Sequence, residues 1–287
     1  MNLNRRSFFL AAAAAAAGET GGSTASAQGR EVPNVQMDNL GPGKKSPHVR
    51  NIRGKILYVG DEDNERGREW FSFSFREDGQ ITLRAFCEID DGRVERDVVY
   101  TMTADFRPLD CFVRLHSGGK FLGTGWIRIT DTHAECEVFN TRMGRISQTL
   151  ELTEPAMTLG SHPLSCDALV LPVFDHSKSE RVQPRIGALS TSPLLDGGSG
   201  PLLSMSSGFI EYVGPERVST ILGDIDAHHY RFRFSPRSDR PLHPSGTPLG
   251  EDLWVTHPDY TFVRAEVYGY LKNKTGFGRY ELVELDT

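Results

Sequence analysis

Alternating apolar and polar residues dominate the chain from about residue 48 onwards. Phe71, Phe73 and Phe75 fall on one side of an extended segment, and Ser72 and Ser74 fall on the other. A period of two is typical of a strand with one buried face, whereas a helix repeats its apolar positions every three to four residues. This stretch therefore predicts a β-strand that is half buried.

Turn signals separate this strand from similar ones along the rest of the chain. They are Glu77-Asp78-Gly79, Asp90-Asp91-Gly92 and Gly118-Gly119. Short strands joined by glycine-containing turns are typical of antiparallel hairpins, and a long series of hairpins tends to curl. The pattern predicts an all-β fold: a large curled antiparallel sheet, which is a closed or half-open barrel.

The glycine pair at 118–119 fixes a register for the central hairpins. Counting outwards from it, and from a second turn at 130–131, gives these cross-strand pairs: Ser117–Lys120, Phe112–Gly125, Arg128–His133 and Trp126–Glu135. One face of these strands is predicted to be core, namely Phe112, Phe121, Ile127, Ile129, Ala134, Cys136 and Val138. The other face carries Leu122, Thr124, Trp126, Arg128, His133, Glu135 and Glu137.

One segment breaks the alternation and predicts a short helix. In SHPLSCDALVLPVFD, Ser161 can cap the first turn and Pro163 suits the position inside it. Leu164, Ala168 and Leu171 keep helical spacing, and the helix should end near Pro172. Residues 176–207, which are rich in Ser, Pro and Gly, are predicted to connect it to the strands that follow.

The N-terminus has the organisation of an export signal. Arg5 and Arg6 precede a short apolar run, and Ala25-Ser26-Ala27 offers small residues for cleavage before Gln28. The paired arginines resemble a twin-arginine signal, with an ordinary secretory signal as the alternative. We expect a signal peptide at 1–27, a flexible lead-in at 28–47 and a single barrel-like domain at 48–287. The alternative is a domain made of two halves (48–175 and 208–287) joined by 176–207.

Composition narrows the function further. The formal net charge is −6, which argues against nucleic acid and anionic membranes as partners. After the signal, the sequence contains no apolar run long enough to span a bilayer. The mature protein is therefore expected in the periplasm.

The four cysteines are Cys87, Cys111, Cys136 and Cys166, and none forms a C-x-x-C pair. A periplasmic protein can hold disulfides, and four cysteines allow three pairings. Most of them lie within strand patterns, so buried free thiols are the favoured interpretation.

The C-terminal half resembles a family of exported bacterial β-rich proteins of unknown function. The similarity is carried by YVGPERVSTILGDIDAHHYRF, EDLWVTHPDYTFVRAEV and YELVEL, within which stand Gly214, the run from Gly223 to Tyr230, and Asp252-Leu253-Trp254. The family is similar in shape to lipoprotein-carrier half-barrels, in which a helix plugs a curled sheet. The resemblance implies that residues 161–171 are this helix, and it implies no catalytic residues.

Known catalytic signatures are absent from the sequence. It has no G-x-S-x-G elbow, H-E-x-x-H pair, phosphate loop or dinucleotide fingerprint, so no cofactor is expected. His133 and Glu135 are the candidates for proton transfer, with Trp126 and Arg128 beside them as ligand-binding residues. There are two alternatives. In the first, a metal is held by His133, Glu135 and Glu137; in the second, these strands present only a solvated face with ion pairs.

Three further residues are candidates for contacting a ligand. His228 shares a strand face with Tyr230 and Phe232, and Arg264 alternates with Tyr268 on a later strand. With the supply of aromatic residues, these positions predict a periplasmic binding or carrier protein that holds an apolar small molecule or lipid in a barrel cavity. The alternatives are a cofactor-independent isomerase, lyase or hydrolase that works by acid–base chemistry in the same cavity, and an envelope interaction module without a small ligand.

Overall fold

A computed structural model describes residues 48–60, 63–191, 201–233, 250–268 and 277–287. The predicted signal peptide, the lead-in and most of the polar stretch at 235–250 lie outside these residues. Within them, no helix is long and apolar enough to cross a bilayer.

The first part of the sheet consists of β1 (His48–Val59), β2 (Glu65–Arg76), β3 (Ile81–Ile89), β4 (Val94–Met102), β5 (Pro108–Ser117), β6 (Lys120–Ile129), β7 (His133–Asn140) and β8 (Gly144–Glu151). The second part consists of β10 (Val182–Pro184), β13 (Phe209–Thr220), β14 (Gly223–Arg233), β15 (Gly250–Val255), β16 (Phe262–Tyr268) and β17 (Phe277–Asp286). Three short strands form a separate small sheet: β9 (Thr158–Gly160), β11 (Ala188–Ser190) and β12 (Ser204–Met205).

The fourteen strands of the large sheet are hydrogen-bonded in the order β10-β13-β14-β15-β16-β17-β1-β2-β3-β4-β5-β6-β7-β8. Neighbouring strands of this sheet pair antiparallel throughout the described residues, and β17 joins β1 so that the two halves of the chain make one sheet. No described residues pair β10 with β8, so the sheet stays open. The predicted all-β curled sheet with one short helix is confirmed, in its half-open form.

One face of the large sheet, which we call the inner face, carries the core. The predicted alternation holds in β2, where Phe71 and Phe73 are 4% and 1% exposed while Ser72 between them is less buried. Strands from both halves contribute to the same apolar cluster, including Ile56, Val113 and Leu253. The sheet therefore curls around a shared interior.

The predicted register of the central hairpins is wrong beyond the glycine turn. Gly118 and Gly119 adopt positive φ, and Ser117 does pair with Lys120. A bulge between Leu115 and His116 then shifts the ladder, so that Phe112 lies opposite Trp126. Phe112 is consequently 38% exposed on the outer face and does not belong to the core.

The next hairpin is also shifted. Its loop runs from Thr130 to His133, where the Thr130 amide donates to the His133 carbonyl, and Ile129 pairs with Ala134. Arg128 therefore lies opposite Glu135, and Trp126 lies opposite Glu137. A two-residue turn at 130–131 would have moved each of these partners by two positions.

The interior of the curled sheet is filled by a segment that we call the plug, residues 161–174. It contains helix α1 (Leu164–Asp167), continued by a 3-10 helix from Ala168 to Val173 that includes Pro172. Cys166, Ala168 and Leu171 are 0% exposed. Residues 201–205 pack nearby: a Cβ on Gly125 would lie 2.8 Å from Cβ of Pro201, so this strand position admits only a glycine without rearrangement.

The plug is capped by the sheet and not by its own sequence. Ser161 makes no cap bond; the Glu69 carboxylate on β2 instead accepts hydrogen bonds from the amides of Leu164 and Ser165, at 2.7 and 3.0 Å. It also accepts from the Tyr58 hydroxyl at 2.8 Å. A buried carboxylate at the start of a helix satisfies amides that otherwise lack partners.

All four cysteines are free and buried, which confirms the interpretation as thiols. Cys87, Cys111 and Cys136 lie on inward-facing strand positions, and Cys166 lies within the plug. Burial raises the pKa of the Cys166 thiol to about 12 and that of Cys136 to about 11.

Candidate functional site

A group of histidine and tyrosine side chains lies where the residues after the plug meet the inner face of β13 and β14. We call it the rim cluster: His176, Tyr212, His228, Tyr230, His257 and Tyr260. Tyr230 is fully buried at its centre. Its hydroxyl lies 2.8 Å from Nε2 of His176 and 2.9 Å from Nε2 of His257. The phenol can donate to one imidazole and accept from the other, so it links two separate loops.

His228 forms the second half of the cluster. Its Nδ1 lies 2.7 Å from the hydroxyl of Tyr212 on the neighbouring strand. Its ring stacks on that of His257, with centroids 3.8 Å apart and planes within 12°. Since β14 places residues 228 and 230 on the same face, the two hydrogen-bonded groups become one contiguous surface.

The environment favours the uncharged imidazoles. Burial, and then the neighbouring His228 and His176, lower the pKa of His257 to about 4. Burial and His176 also lower the pKa of His228. Burial raises the pKa of the Tyr230 phenol, with Tyr260 and Tyr212 adding to the effect. Near neutral pH, His228 and His257 therefore present neutral hydrogen-bonding rings.

A cleft of about 400 Å³ opens beside this cluster. Its walls are Pro215, Glu216, Arg217, Asp226, Ala227, His228 and His257. The volume falls within the range of small-molecule pockets, and imidazoles at its wall provide both stacking surface and hydrogen bonds. The charged residues come from the β13–β14 hairpin, and the imidazoles come from the inner face and the β15–β16 loop.

The side chains of the rim cluster can bind a polar group or transfer a proton. Neutral imidazoles close to a hydroxyl can act as general bases. In the described part of the chain, no three His, Cys, Asp or Glu side chains are arranged to hold a metal ion. The metal alternative for His133, Glu135 and Glu137 therefore has no support.

The predicted catalytic pair lies elsewhere, on the outer face of the sheet. His133 Nε2 is 3.5 Å from Glu135 Oε1, and their side chains are 33% and 41% exposed. The His133 ring is also 3.1 Å from the hydroxyls of Thr130 and Thr132, so it takes part in the β6–β7 turn. The pair is brought together as expected, although no cavity encloses it.

Trp126 and Arg128 lie on the same outer face. Trp126 is 46% exposed and directly faces Phe112 across the ladder. Phe121 and Phe139 stack nearby with ring centroids 6.4 Å apart. These residues form an exposed aromatic surface, separated from the interior by the sheet itself.

Arg264 and Tyr268, the remaining predicted ligand contacts, already bind partners within the chain. Arg264 donates to the carbonyl of Ser219 at 2.7 Å and to Glu281 at 2.9 Å. The Tyr268 hydroxyl donates to Glu266 at 2.6 Å. Of the five predicted ligand residues, only His228 lines the cleft.

Sequence reasoning did not single out the partners of His228. His176 lies in the long connection after the plug, and His257 lies in a loop between two strands. They are separated by about eighty positions in sequence, and no local motif joins them. The pattern did identify one usable signal, namely that His228 and Tyr230 share a strand face.

Comparison with known proteins gives only distant similarities. No protein-family model matches the chain, and no curated protein matches it. Among solved structures, a β-barrel-like protein of a domain of unknown function, DUF1849, from Brucella abortus is 10% identical with a TM-score of 0.48, covering 84% of this chain and 99% of its own. A putative lipoprotein from Parabacteroides distasonis is 11% identical with a TM-score of 0.29, covering 84% of this chain and 97% of its own. We infer nothing about function from either similarity.

Proposed function

We propose that the protein is a periplasmic binding or carrier protein for a mostly apolar small molecule or lipid. The ligand is taken up between the plug and the inner face of the sheet and enters beside the rim cluster. One observation carries this proposal: in the described part of the chain, a short insert, and not a second large sheet, covers the apolar inner face. An insert can move away from such a face without unfolding the sheet, which a partner sheet cannot do.

The contacts that hold the plug support this role. Leu164, Leu169 and Leu171 of the plug belong to the apolar cluster. The described polar anchors include Glu69 at the start of α1 and Arg96, whose guanidinium donates to the Ser161 carbonyl at 3.2 Å. His176, just after the plug, adds the bond to Tyr230. An apolar ligand in the same place buries a similar apolar surface, and such burial stabilises a complex by roughly 25 cal/mol per Å².

The rim cluster gives the ligand a polar end. His228 and His257 present ring faces and nitrogen atoms to the cleft, and the Tyr212 hydroxyl lies behind them. Apolar pockets with a small number of placed polar groups are typical of small-molecule sites.

The test starts with the protein as exported from cells. An organic extract of the purified protein is examined by mass spectrometry, and binding of the apolar fluorophore N-phenyl-1-naphthylamine is titrated. Leu171→Ala, in the plug, should change the affinity because it removes a fully buried side chain; Met205→Ala, at a 59% exposed position, is the matched control. Absence of both co-purifying ligand and fluorophore binding contradicts the proposal.

A second candidate function is acid–base catalysis, because a neutral imidazole stands beside a cleft. In this case His228 is the base and Tyr212 the residue that orients it, while the pair on the outer face, His133 and Glu135, is the alternative catalytic site. Deuterium exchange into small enolisable ketones, followed by NMR, detects such chemistry without a known substrate. Loss of exchange in His228→Ala but not in His133→Ala supports the rim cluster; the reverse result supports the outer pair.

Export to the periplasm is part of the proposal and is tested separately. Replacing Arg5 and Arg6 by lysine should keep the precursor in the cytoplasm if export uses the twin-arginine route, because that route reads the paired arginines. Cell fractionation and N-terminal sequencing, with Gln28 expected first, provide the measurement. Unchanged export of the double-lysine variant favours an ordinary secretory signal.

A further inference from the structure

The last strand of the large sheet, β8, has an open edge. β7 pairs with it on one side, from Asn140 opposite Gly144 to His133 opposite Glu151. On its other side, no strand of the described residues pairs with it. β8 has eight residues, whereas β10 at the opposite end of the sheet has three. A long, regular edge strand offers its main-chain groups to a further strand, so this edge is the place where the sheet can be extended.

The main-chain groups that face away from β7 follow from the hydrogen-bond pattern of the ladder. The Leu152 amide, just after β8, donates to the Thr132 carbonyl at 2.8 Å. Because antiparallel strands alternate between hydrogen-bonded and non-hydrogen-bonded pairs, the even-numbered residues of β8 bond to β7. The odd-numbered residues therefore direct their amides and carbonyls outwards. These residues, whose side chains are all exposed, are Arg145, Ser147, Thr149 and Glu151.

The sequence of β8 is complementary to itself in the antiparallel direction. When Gln148 lies on a two-fold axis between two copies, Arg145 lies opposite the partner's Glu151, and Ser147 lies opposite the partner's Thr149. Each of these pairs joins two residues whose main-chain groups point outwards. They can therefore exchange hydrogen bonds without any change in the strand, and about eight such bonds form across the edge.

The charges favour this register over its neighbours. The Arg145 side chain is 79% exposed and contacts Glu137 at 3.1 Å. Glu151 is exposed, and it forms no ion pair with any described residue. Opposite charges at directly opposed positions stabilise a strand pair, and like charges oppose it. A shift by two residues would place Arg145 opposite the partner's Thr149, or Glu151 opposite the partner's Ser147, and would lose both charge pairs.

The apolar side of β8 is complementary in the same register. Ile146 and Leu150 lie on the inner face, where both are partly buried and pack against the core cluster. The two-fold axis places Ile146 opposite the partner's Leu150. The apolar inner face of one copy thus continues into that of the other.

We propose that the protein forms a symmetric homodimer through β8, in which the two strands pair antiparallel about Gln148 and the two large sheets become one. Both copies use the same edge, so the interface closes after two chains and does not propagate into a fibre. One strand from each copy makes a narrow interface, and we expect a dissociation constant on the order of 10 µM.

Sedimentation equilibrium of the exported protein between about 1 and 200 µM tests the association. Arg145→Glu and Glu151→Arg each place like charges opposite each other, and each should weaken the dimer at least about tenfold. The two substitutions combined in one chain reverse the charge pair and should restore the dimer. Arg53→Glu, at an exposed position of β1, is the matched control and should leave the association unchanged.

Cross-linking tests the position of the axis. Oxidation of Gln148→Cys with diamide should yield a disulfide-linked dimer, because the two copies of this residue face each other across the axis. Ile146→Cys is the control, since its two copies lie about 14 Å apart along the strands. The native thiols are buried and give no background.

A protein that stays monomeric up to 200 µM overturns this inference. A dimer that neither single charge variant weakens also overturns it, as does equal cross-linking of Gln148→Cys and Ile146→Cys. Circular dichroism of each variant confirms that the sheet is intact. Ser147→Pro gives an independent variant, because it removes an outward amide at an edge position where proline is tolerated and should also weaken the dimer.

Discussion

At the scale of single residues, the environment decides which histidines can take part in chemistry. His133 is held in an exposed turn by two threonine hydroxyls, whereas His228 and His257 stack against each other beside a cleft. All three look alike in sequence, since each is flanked by polar and apolar residues. The second pair has depressed pKa values and a neighbouring cleft, a combination that is enriched at functional sites.

Removing the outer pair should leave stability nearly unchanged. His133→Ala and Glu135→Gln each break an exposed ion pair, which contributes at most about 1 kcal/mol and often nothing. Urea unfolding followed by fluorescence measures this. A loss of more than about 2 kcal/mol from either variant contradicts the assignment of this pair as an exposed contact that contributes little to stability.

The cysteines give a second prediction at this scale. Because all four thiols are free, buried and shifted to high pKa, they should not react with a thiol reagent such as dithionitrobenzoate in the native protein. Four thiols per chain should react after unfolding, and dithiothreitol should leave the melting temperature unchanged. A melting temperature that falls under reduction points to a disulfide in the exported protein.

At the scale of elements, the start of α1 in the plug is capped by a residue that is distant in sequence, and not by the neighbouring residues that predicted a cap. Its start contains a serine and a proline in suitable positions, yet the amides at the N-terminus bind Glu69, which lies ninety-five residues earlier than Leu164. The helix itself is short, and a helix of this length is not stable alone. The sheet therefore holds the plug in its helical form.

Alanine variants at Glu69 and Ser161 distinguish the cap seen in the structure from the cap predicted from the sequence. Glu69→Ala leaves two plug amides and the Tyr58 hydroxyl without their acceptor, and each buried orphan costs about 1–3 kcal/mol. We expect a loss of several kcal/mol in the free energy of unfolding. Ser161→Ala should lose about 1 kcal/mol or less, since its hydroxyl contacts only the Cys166 thiol among the described atoms. Equal losses in the two variants contradict this assignment of the cap.

At the scale of the whole molecule, partly buried ionisable groups of the plug and of the β15–β16 loop connect stability to pH. The pKa of Asp167 is raised to about 7, so its contribution is complete below about pH 4 and is lost as the pH rises past 7. The pKa of His257 is lowered to about 4, so its contribution is present above about pH 6.5 and is lost as the pH falls through 4. Between about pH 4 and pH 6.5 the two effects have opposite slopes and offset each other, so these two groups leave a plateau there and a fall above it.

We expect the urea midpoint to change little between about pH 4.5 and pH 6 and to fall by pH 8. Asp167→Asn should reduce the fall on the alkaline side and should let the midpoint rise with pH on the acid side, because the lowered pKa of His257 is then no longer offset. A midpoint that keeps rising from pH 6 to pH 8 contradicts the raised pKa of Asp167.

The fold was largely predictable because its determinants are local. Alternation in β2 and the glycine turn at 118–119 identify strands and a hairpin from neighbouring residues alone, and tertiary packing then preserved them. Register was less predictable, since the bulge beside His116 and the turn closed by Thr130 and His133 shift the ladder without changing the alternation. As a result, Phe112 was assigned to the wrong face.

The amino-acid sequence by itself determined an antiparallel all-β chain with one short helix and four thiols, because periodicity and turn chemistry act over a few residues. The tertiary structure decided what the interior contains and which histidines meet. His176, His228 and His257 come from the segment after the plug, a strand and a loop, and Glu69 reaches α1 across the sheet. Such contacts depend on how the sheet curls, which is a property of all its strands together.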